Sequence, residues 1–247
     1  MNMTYNTFFD NFFTFDDTYS TKNYKGKVEL DARDWVKALR CELELTQLSI
    51  QHAEGAKSPN AFFWNGVLSP FCINEELKML FEDNNITGVK YIPANVKDKN
   101  GELMSGKYFA VCIQGRIGPI DYFRSEVIFK ESPSGMIVPQ FKGEYFNESS
   151  WDGSDFVMTR PDEFGHITAS IYTSRKVRDL FKKHKISFVK FTSLPTSTTD
   201  SDNILRDSDE FMRKLKAKIM KATPKKWLIQ KAIDKTIKKD SIKWDLL

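Results

Sequence analysis

The sequence of 247 residues predicts an α+β fold with mixed sheets, built from two related strand-helix-strand units and a basic helical appendage at the carboxy terminus. From residue 61 onward, short apolar runs separated by Pro and Gly indicate strands. Apolar residues at helical spacing indicate helices before and after this region. Two segments set 100 positions apart, residues 74–91 and 174–191, share one apolar pattern. These observations together favour a duplicated α+β scaffold.

The two repeat copies keep their apolar residues but invert their charge. The apolar residues that recur as the same residue 100 positions later are Leu80, Phe81, Ile86 and Val89. The acidic residues of the first copy that become basic in the second are Glu75, Glu76, Glu82 and Asp83. A duplicated scaffold with divergent charge is easier to interpret as a binding surface than as a single catalytic pocket.

Two helices are predicted before the first repeat copy. Residues 8–15 carry five Phe residues mostly at helical spacing, which indicates a short helix packed on the body or, alternatively, an exposed stripe that binds a partner. Residues 31–51 indicate a longer helix, with Asp31 as its cap and Trp35 and Leu39 on its apolar face.

The first repeat copy and the residues after it are predicted to alternate between strands and a helix. Asn74 is placed to cap the helix, and Asn100-Gly101 is a strong turn signal. Residues 131–147, rich in Pro and Gly, indicate a loop with a short edge strand or a junction between halves. In order, the predicted elements are a strand at 71–73, a helix at 75–84, and strands at 86–92, 107–113 and 120–130.

The second copy is predicted to begin with a strand at 167–172, followed by a helix capped by Thr173 or Ser174. Residues 196–203 are polar and indicate a linker, and two amphipathic helices are expected after it, from Phe211 and from Thr223. The predicted organisation is an amino-terminal part at 1–147, a second repeat unit at 148–196, and a linker with basic helices at 197–247.

Charge is distributed unevenly along the chain. Residues 211–247 hold 12 Lys and Arg residues against 3 Asp and Glu residues, so a mildly acidic body carries a basic tail. Such a tail is suited to nucleic acid, to an anionic membrane surface or to an acidic partner. The three cysteines are far apart and have apolar neighbours, which favours reduced thiols and a cytoplasmic location. No segment is long and apolar enough to predict a membrane span.

Searching for catalytic motifs yields no candidate. The histidines show no metal-ligand spacing, and the sequence has neither a phosphate-binding glycine loop nor a nucleophile elbow. We therefore predict no catalytic residue, no metal site and no cofactor. The segment Trp151 to Phe156 remains, either as a tight Asp-Gly turn with a packed indole or as a turn that presents two carboxylates and an aromatic anchor.

Three segments near the second repeat copy suggest a family. They are Trp151-Asp152-Gly153-Ser154-Asp155-Phe156, then Ile171-Tyr172-Thr173-Ser174, then Val177, Leu180, Phe181, Ile186 and Val189-Lys190-Phe191. This pattern resembles the carboxy-terminal signature of immunity proteins from bacterial polymorphic toxin systems, which has an Asp-x-Phe turn, a Ser-led helix and a closing strand. The glycine that such proteins tend to show before the last strand is Gly88 in the first copy but Phe188 in the second, and the basic tail is not part of the pattern.

The resemblance implies a stoichiometric inhibitor, not an enzyme, that binds a cognate toxin domain in the producing cell and occludes its active site. Its oligomeric state is left open. The alternative is an adaptor that acts on nucleic acid or a membrane surface through the basic carboxy-terminal helices, although nucleic acid is the less favoured partner. The candidate toxin-binding residues are Glu75, Glu76, Glu82, Asp83, Trp151, Asp152, Asp155 and Arg160.

Overall fold

The computed structural model describes residues 8–66, 68–131, 137–161, 170–200 and 210–222. These residues fall into two compact units. Unit 1 comes from residues 1–119 and 146–193, and unit 2 from residues 120–145 and 194–247. Helices occur together with sheets that contain both parallel and antiparallel pairs, so the predicted α+β class with mixed sheets is confirmed.

The described chain contains strands, α-helices and single turns of 3-10 helix. The strands are β1 (Phe12–Asp17), β2 (Tyr24–Val28), β3 (Leu48–Gly55), β4 (Phe62–Phe63), β5 (Phe71–Asn74), β6 (Val89–Val96), β7 (Tyr108–Ile113), β8 (Gly115–Ile117), β9 (Glu126–Glu131), β10 (Ile137–Lys142), β11 (Phe156–Thr159), β12 (Tyr172–Ser174), β13 (Val189–Ser193) and β14 (Thr198–Asp200). The α-helices are α1 (Ala32–Leu39), α2 (Glu75–Asp83), α3 (Arg175–Lys183) and α4 (Glu210–Ala222). The 3-10 turns lie at Phe9–Asn11, Glu148–Ser150 and Leu194–Thr196.

Unit 1 contains two modules with one topology. We call β4, β5, α2, β6 and β7 module A, and β11, β12, α3, β13 and β1 module B. In each module the first two strands pair antiparallel, the helix follows, and a further strand lies antiparallel between the strands that flank the helix. That middle strand is β7 in module A and β1 in module B. The second module is therefore completed by a strand from the opposite end of the sequence.

The strand registers of the two modules agree residue by residue. Asn74 pairs with Tyr108, and Ser174, which is 100 positions later, pairs with Phe12. On the other side of the middle strand, Val89 pairs with Ile113 as Val189 pairs with Asp17. A shift of one residue would turn every side chain to the wrong face, so matched registers require matched burial patterns. The repeat seen in the sequence is thus a duplication of the whole module.

The turn after each module helix is duplicated as well. Asn85 and Lys185 both adopt a positive φ, at 48° and 54°. The N–H of Ile86 donates to Phe81 O as that of Ile186 donates to Phe181 O, each at 2.9 Å. Such bonds satisfy carbonyl groups that a helix end leaves unpaired.

Each module also passes a strand to the other. β8 follows the middle strand of module A and pairs parallel with β11 of module B. β2 follows the middle strand of module B, and its residue Lys25 forms a parallel bridge with Trp64, directly after β4 of module A. β8 thus ends a five-stranded sheet, β13-β1-β12-β11-β8. β2 also pairs antiparallel with β3 and so ends a six-stranded sheet, β2-β3-β6-β7-β5-β4.

Both modules contribute to one shared core. Phe81 of α2 and Phe181 of α3 are almost fully buried, and their ring centroids lie 5.9 Å apart. Phe15 of β1 packs against Phe181 and Phe156 in the same cluster. A second cluster, which includes Tyr24, Ile50 and Cys72, lies among the strands of the six-stranded sheet. The positions predicted from the repeat to be apolar therefore stabilise a common interior.

Of the two helices predicted in the amino-terminal region, the first is wrong and the second is confirmed only over its first part, with Asp31 as its cap. The Phe-rich stretch forms β1, in which Phe12, Phe13 and Phe15 are all buried. A central strand covered on both faces produces a continuous apolar run, which resembles a helical stripe in sequence. The predicted helix 31–51 ends at Leu39, because the chain turns at Cys41 with φ at 58° and then enters β3.

Unit 2 holds the three-stranded sheet β14-β10-β9 and α4. The predicted linker 196–203 is wrong over residues 198–200, which pair with β10 as β14. Thr residues at 198 and 199 suit a short edge strand. Residues 137–142 form the middle strand of this sheet, where an edge strand or junction was predicted. The predicted strand at 120–130 starts later, at Glu126, and the helix predicted from Thr223 lies outside the described residues.

Candidate protein-binding surface

Asp155, one of the candidate binding residues, is buried within unit 1 and joins the two modules. Its carboxylate accepts hydrogen bonds from Thr87 N (3.1 Å), Thr87 Oγ1 (3.2 Å) and Ser174 Oγ (2.6 Å). Lys176 Nζ lies 3.3 Å from the same group. A buried carboxylate needs such partners to offset its lost hydration. Asp155 therefore has a structural role.

Trp151 and Asp152 are also engaged in the fold. The indole of Trp151 packs edge-on against Phe8 and Phe12, and its Nε1–H donates to Ser154 O at 2.9 Å. Asp152 is exposed, yet its carboxylate accepts from Arg116 N (2.7 Å) and Ser154 N (3.0 Å). The turn thus follows the structural alternative that its Asp-Gly sequence predicts.

The acidic residues of α2 are partly neutralised by neighbouring lysines. Glu75 forms an ion pair with Lys107 at 2.7 Å, and Glu82 forms one with Lys78 at 2.5 Å. Glu76 and Asp83 are exposed, and within the described ranges neither has a cation at ion-pair distance. Two isolated carboxylates thus remain on this helix.

Arg160, the last candidate residue, follows β11 and is exposed. Its guanidinium donates to Ser150 O at 2.9 Å, which connects it to the preceding 3-10 turn.

The first half of α3 is occupied by contacts with its surroundings. Arg175 donates to Asp10 O at 3.1 Å, and Lys176 donates to Asn85 O at 2.7 Å. The guanidinium of Arg178 lies 4.2 Å from the ring centre of Phe13. Module A has the corresponding contact, with Lys78 Nζ 5.3 Å from the ring of Phe109. These cations therefore help to hold α3 and α2 in place.

Positive charge without a counterion accumulates where α3 ends. Lys182, Lys183, His184 and Lys185 are all exposed, and we call these four residues the basic end of α3. In the part of the chain that the structure describes, no carboxylate lies at ion-pair distance from any of them. The helix dipole favours cations here, which gives the lysines a local stabilising role in addition to any role in binding. Their charge remains available to a partner.

A groove of about 360 Å³ lies beside the basic end of α3. Its apolar lining combines the carboxy-terminal part of α3 with the start of β13, and lysines stand at its rim. The lining residues are Phe181, Lys182, Lys185, Ile186, Ser187, Val189 and Phe191. An apolar floor beside unpaired cations suits a ligand that carries both apolar and acidic groups.

Sequence reasoning identified the charge reversal between the copies but selected its acidic side. The positions equivalent to Glu82 and Asp83 are Lys182, which lines the groove, and Lys183, which lies outside it. The signal that distinguishes the two helices is the pairing of each charge. Glu75 is neutralised by Lys107, directly before β7, and Glu82 by Lys78, one helical turn earlier. The Glu82–Lys78 pair can be predicted from its spacing in the helix, whereas the Glu75–Lys107 pair is seen only in the tertiary structure.

The described part of the basic tail packs within unit 2. Leu215 and Ile219 of α4 are fully buried. Lys218 Nζ donates to the carbonyl oxygens of Tyr122 (2.9 Å) and Phe123 (2.7 Å), and to that of Ser125. Burial lowers the pKa of this ammonium group. At least this lysine of the tail serves the fold.

The cysteine thiols differ in their surroundings. Cys72 is fully buried, and burial raises its pKa to about 12. The pKa of the partly exposed Cys41 is lowered, chiefly by a hydrogen bond with Cys112.

The described ranges contain no group of three or more His, Cys, Asp or Glu side chains placed to hold a metal ion. Across those same residues, none of the helices has the length and apolar character needed to cross a membrane.

A scan against protein-family models finds no match, and a search of curated proteins finds none that is significantly similar.

Proposed function

We propose that this protein is an immunity protein that binds and neutralises a cognate toxin domain inside the producing cell, and that it acts by occlusion and not by catalysis. The basic end of α3 is the surface we assign to the toxin. The observation that carries the assignment is the contrast between two helices of identical register, since the charges of α2 are partly paired and the lysines at the end of α3 are not.

Unpaired charge at an exposed helix end supports this function for a physical reason. A cluster of like charges steers an oppositely charged partner and speeds association. Rapid association matters to an inhibitor that must meet its toxin before the toxin acts. The adjacent groove supplies apolar surface, from which most affinity in such interfaces is gained. The proposal therefore requires an acidic region on the toxin domain.

The proposal predicts that a large polypeptide with a toxin domain at its carboxy terminus is encoded beside this gene, and the test pairs this protein with that domain. We expect a one-to-one complex by light scattering and survival of cells that express both chains. A variant that reverses three charges combines Lys182→Glu, Lys183→Glu and Lys185→Glu. We expect it to bind the toxin domain about 100-fold more weakly, at roughly 1 kcal/mol for each of the three charges.

The repeat provides a matched control in Glu82→Lys with Asp83→Lys, which reverses charge at the equivalent positions of α2. We expect this variant to bind within about twofold of the unaltered protein, because these carboxylates lie outside the assigned surface. Equal loss in both variants, or loss only in the control, would overturn the assignment to α3. Failure to form any complex, or a gene that stands alone beside metabolic enzymes, would overturn the immunity function itself.

A further inference from the structure

Strand β13 lies at one end of the five-stranded sheet. One side of β13 pairs with β1, and no described strand pairs with its other side. An open strand edge presents unpaired N–H and C=O groups to any chain that approaches it. The groove beside the basic end of α3 runs along this strand, because Val189 and Phe191 line it.

The hydrogen bonds of β1 show which groups of β13 face outward. Phe15 N donates to Ile171 O at 2.9 Å, so the peptide groups of Phe15 point toward β12. In an antiparallel ladder the direction alternates, so Thr14 and Asp16 point toward β13 and bond their partners there. Those partners are Thr192 and Lys190. The N–H and C=O groups of Val189 and Phe191 therefore face away from the sheet, toward the groove.

Module A closes the edge of its last strand from Pro93 onward, whereas module B leaves the corresponding length of β13 open. In β6 the outward position equivalent to Ser193 is Pro93, which has no N–H to donate. Beyond it, Ala94, Asn95 and Val96 pair in parallel with β3, which makes β6 an interior strand. Proline and coverage are common devices that protect strand edges. Of the two modules, only module B leaves one side of its last strand without a described neighbour over its whole length.

The side chains around β13 define what the edge can accept. Ile186, Val189 and Phe191 are only partly buried and supply the apolar surface of the groove, on which alternate side chains of an added strand would rest. Lys182 and Lys185 lie at the rim and have no described counterion. An added strand with apolar residues at alternate positions and carboxylates between them rests its apolar side chains in the groove, whose lysines attract its negative charge. The carboxylates point to the other face of the sheet, where the exposed Lys190 lies.

We propose that β13 accepts an extended segment of the partner as a sixth strand, and that this segment alternates acidic with apolar residues. The inference rests on the proposed function, because the segment belongs to the toxin domain. Main-chain hydrogen bonds to Val189 and Phe191 give the added strand its direction and register, while the groove and the lysines select its side chains. The toxin is thus held by its backbone as well as by its charge.

A synthetic peptide that alternates Glu with Val tests the surface without the toxin. We expect it to slow amide hydrogen exchange of Val189 and Phe191 by at least about tenfold, and to leave Lys190 and Thr192, already bonded to β1, nearly unchanged. A peptide of the same sequence with N-methylated amides keeps every charge but cannot donate to a strand. Equal binding of both peptides, or binding of neither, would overturn strand addition.

Two variants one residue apart test the rim. Lys182→Glu alters a lining residue of the groove, and Lys183→Glu makes the same charge change outside it. We expect the first to weaken peptide binding by about tenfold and the second by less than about twofold. Equal effects of the two variants would mean that net charge alone attracts the peptide, which contradicts the proposed site.

The same exchange measurement on the toxin complex separates the two proposals. If a toxin complex forms but the amides of Val189 and Phe191 still exchange freely, strand addition is wrong and the immunity function is retained. If the peptide protects these amides but no toxin complex forms, the immunity function is wrong and the strand-binding site is retained. If the two amides are already protected in the dilute free protein, the chain covers its own edge. If protection grows with protein concentration, a second copy is the occupant. Either of these last results overturns the proposal.

Discussion

Module A and module B share their strand registers, their helix lengths and their turn geometry, yet they differ in the charges of their helices and in the exposure of their last strands. α2 carries acids that are partly paired with lysines, whereas α3 ends in lysines that are not paired with described carboxylates. β6 is an interior strand blunted by Pro93, whereas β13 is a sheet edge. Both copies pack into one interior, so their apolar positions are constrained together. Their polar positions lie outside this core and are free to diverge.

Gly88→Ala, in module A, should cause the greatest loss of stability. Gly88 has φ at +82°, and a Cβ at this position would overlap the carbonyl oxygen of Phe156. We expect Gly88→Ala to lower the free energy of unfolding by about 4 kcal/mol, since backbone strain and a steric clash with main-chain atoms add together. Urea denaturation followed by tryptophan fluorescence measures this loss.

Gly101→Ala is the matched control, because Gly101 has φ at +84° but no atom near the added Cβ. It isolates the conformational cost, which we expect to be about 1 kcal/mol. Phe188 stands at the equivalent position of module B with φ at 71°, so that module already tolerates a side chain there. If both alanine variants lost equal stability, the close approach to Phe156 would be irrelevant.

The second effect removes a contact between the modules. Asp155→Ala is expected to cost about 3 kcal/mol, because it leaves the backbone N–H of Thr87 and the hydroxyl of Ser174 without their acceptor and removes the ion-pair partner of Lys176. Ala61 is the equivalent residue of module A, because its carbonyl oxygen accepts from Asn74 N as that of Asp155 accepts from Ser174 N. Ala61 has no carboxylate, so this side-chain contact belongs to module B. Thermal unfolding would detect the loss. Asp152→Ala, in the exposed turn nearby, should cost only about 1 kcal/mol.

A smaller effect compares the two helix caps. The side chain of Asn74 accepts from Leu77 N at 2.9 Å, whereas Ser174 caps α3 without such a bond and donates to Asp155 instead. We expect Asn74→Ala and Ser174→Ala each to cost about 1 kcal/mol, for different reasons. Double-mutant cycles with Asp155→Ala distinguish them. A coupling energy should appear for Ser174 and be near zero for Asn74.

The last prediction concerns thiol reactivity and changes no stability. Because burial raises the pKa of Cys72 to about 12, while a hydrogen bond with Cys112 lowers that of Cys41, a thiol reagent at pH 8 should label Cys41 first. Cys72 lies in β5, the second strand of module A, so its labelling reports local unfolding of that module. We expect its rate to equal the rate of global unfolding, since the modules share a core. Labelling of Cys72 faster than that would mean that module A opens alone.

The sequence predicted α2 and α3 well because short amphipathic helices with an Asn or Ser before them carry local signals. Their shared apolar positions also proved to be the core, as Phe81 and Phe181 illustrate. β1 was predicted as a helix because a strand buried on both faces has no alternation, and its neighbours lie far away in sequence. The role of Asp155 was equally hidden, since its hydrogen-bonding partner Thr87 is 68 residues distant.

The placement of β1 has a consequence for how the protein is made. Phe13 pairs with Thr173, so β1 leaves the ribosome 160 residues before its neighbour in the sheet. At typical synthesis rates that interval is roughly 10–30 s. During this time Phe12, Phe13 and Phe15 have no strand to bury them, and late, non-local pairing of this kind is slow and prone to aggregation. The aromatic strand that completes module B is therefore the segment of the nascent chain that most needs a chaperone.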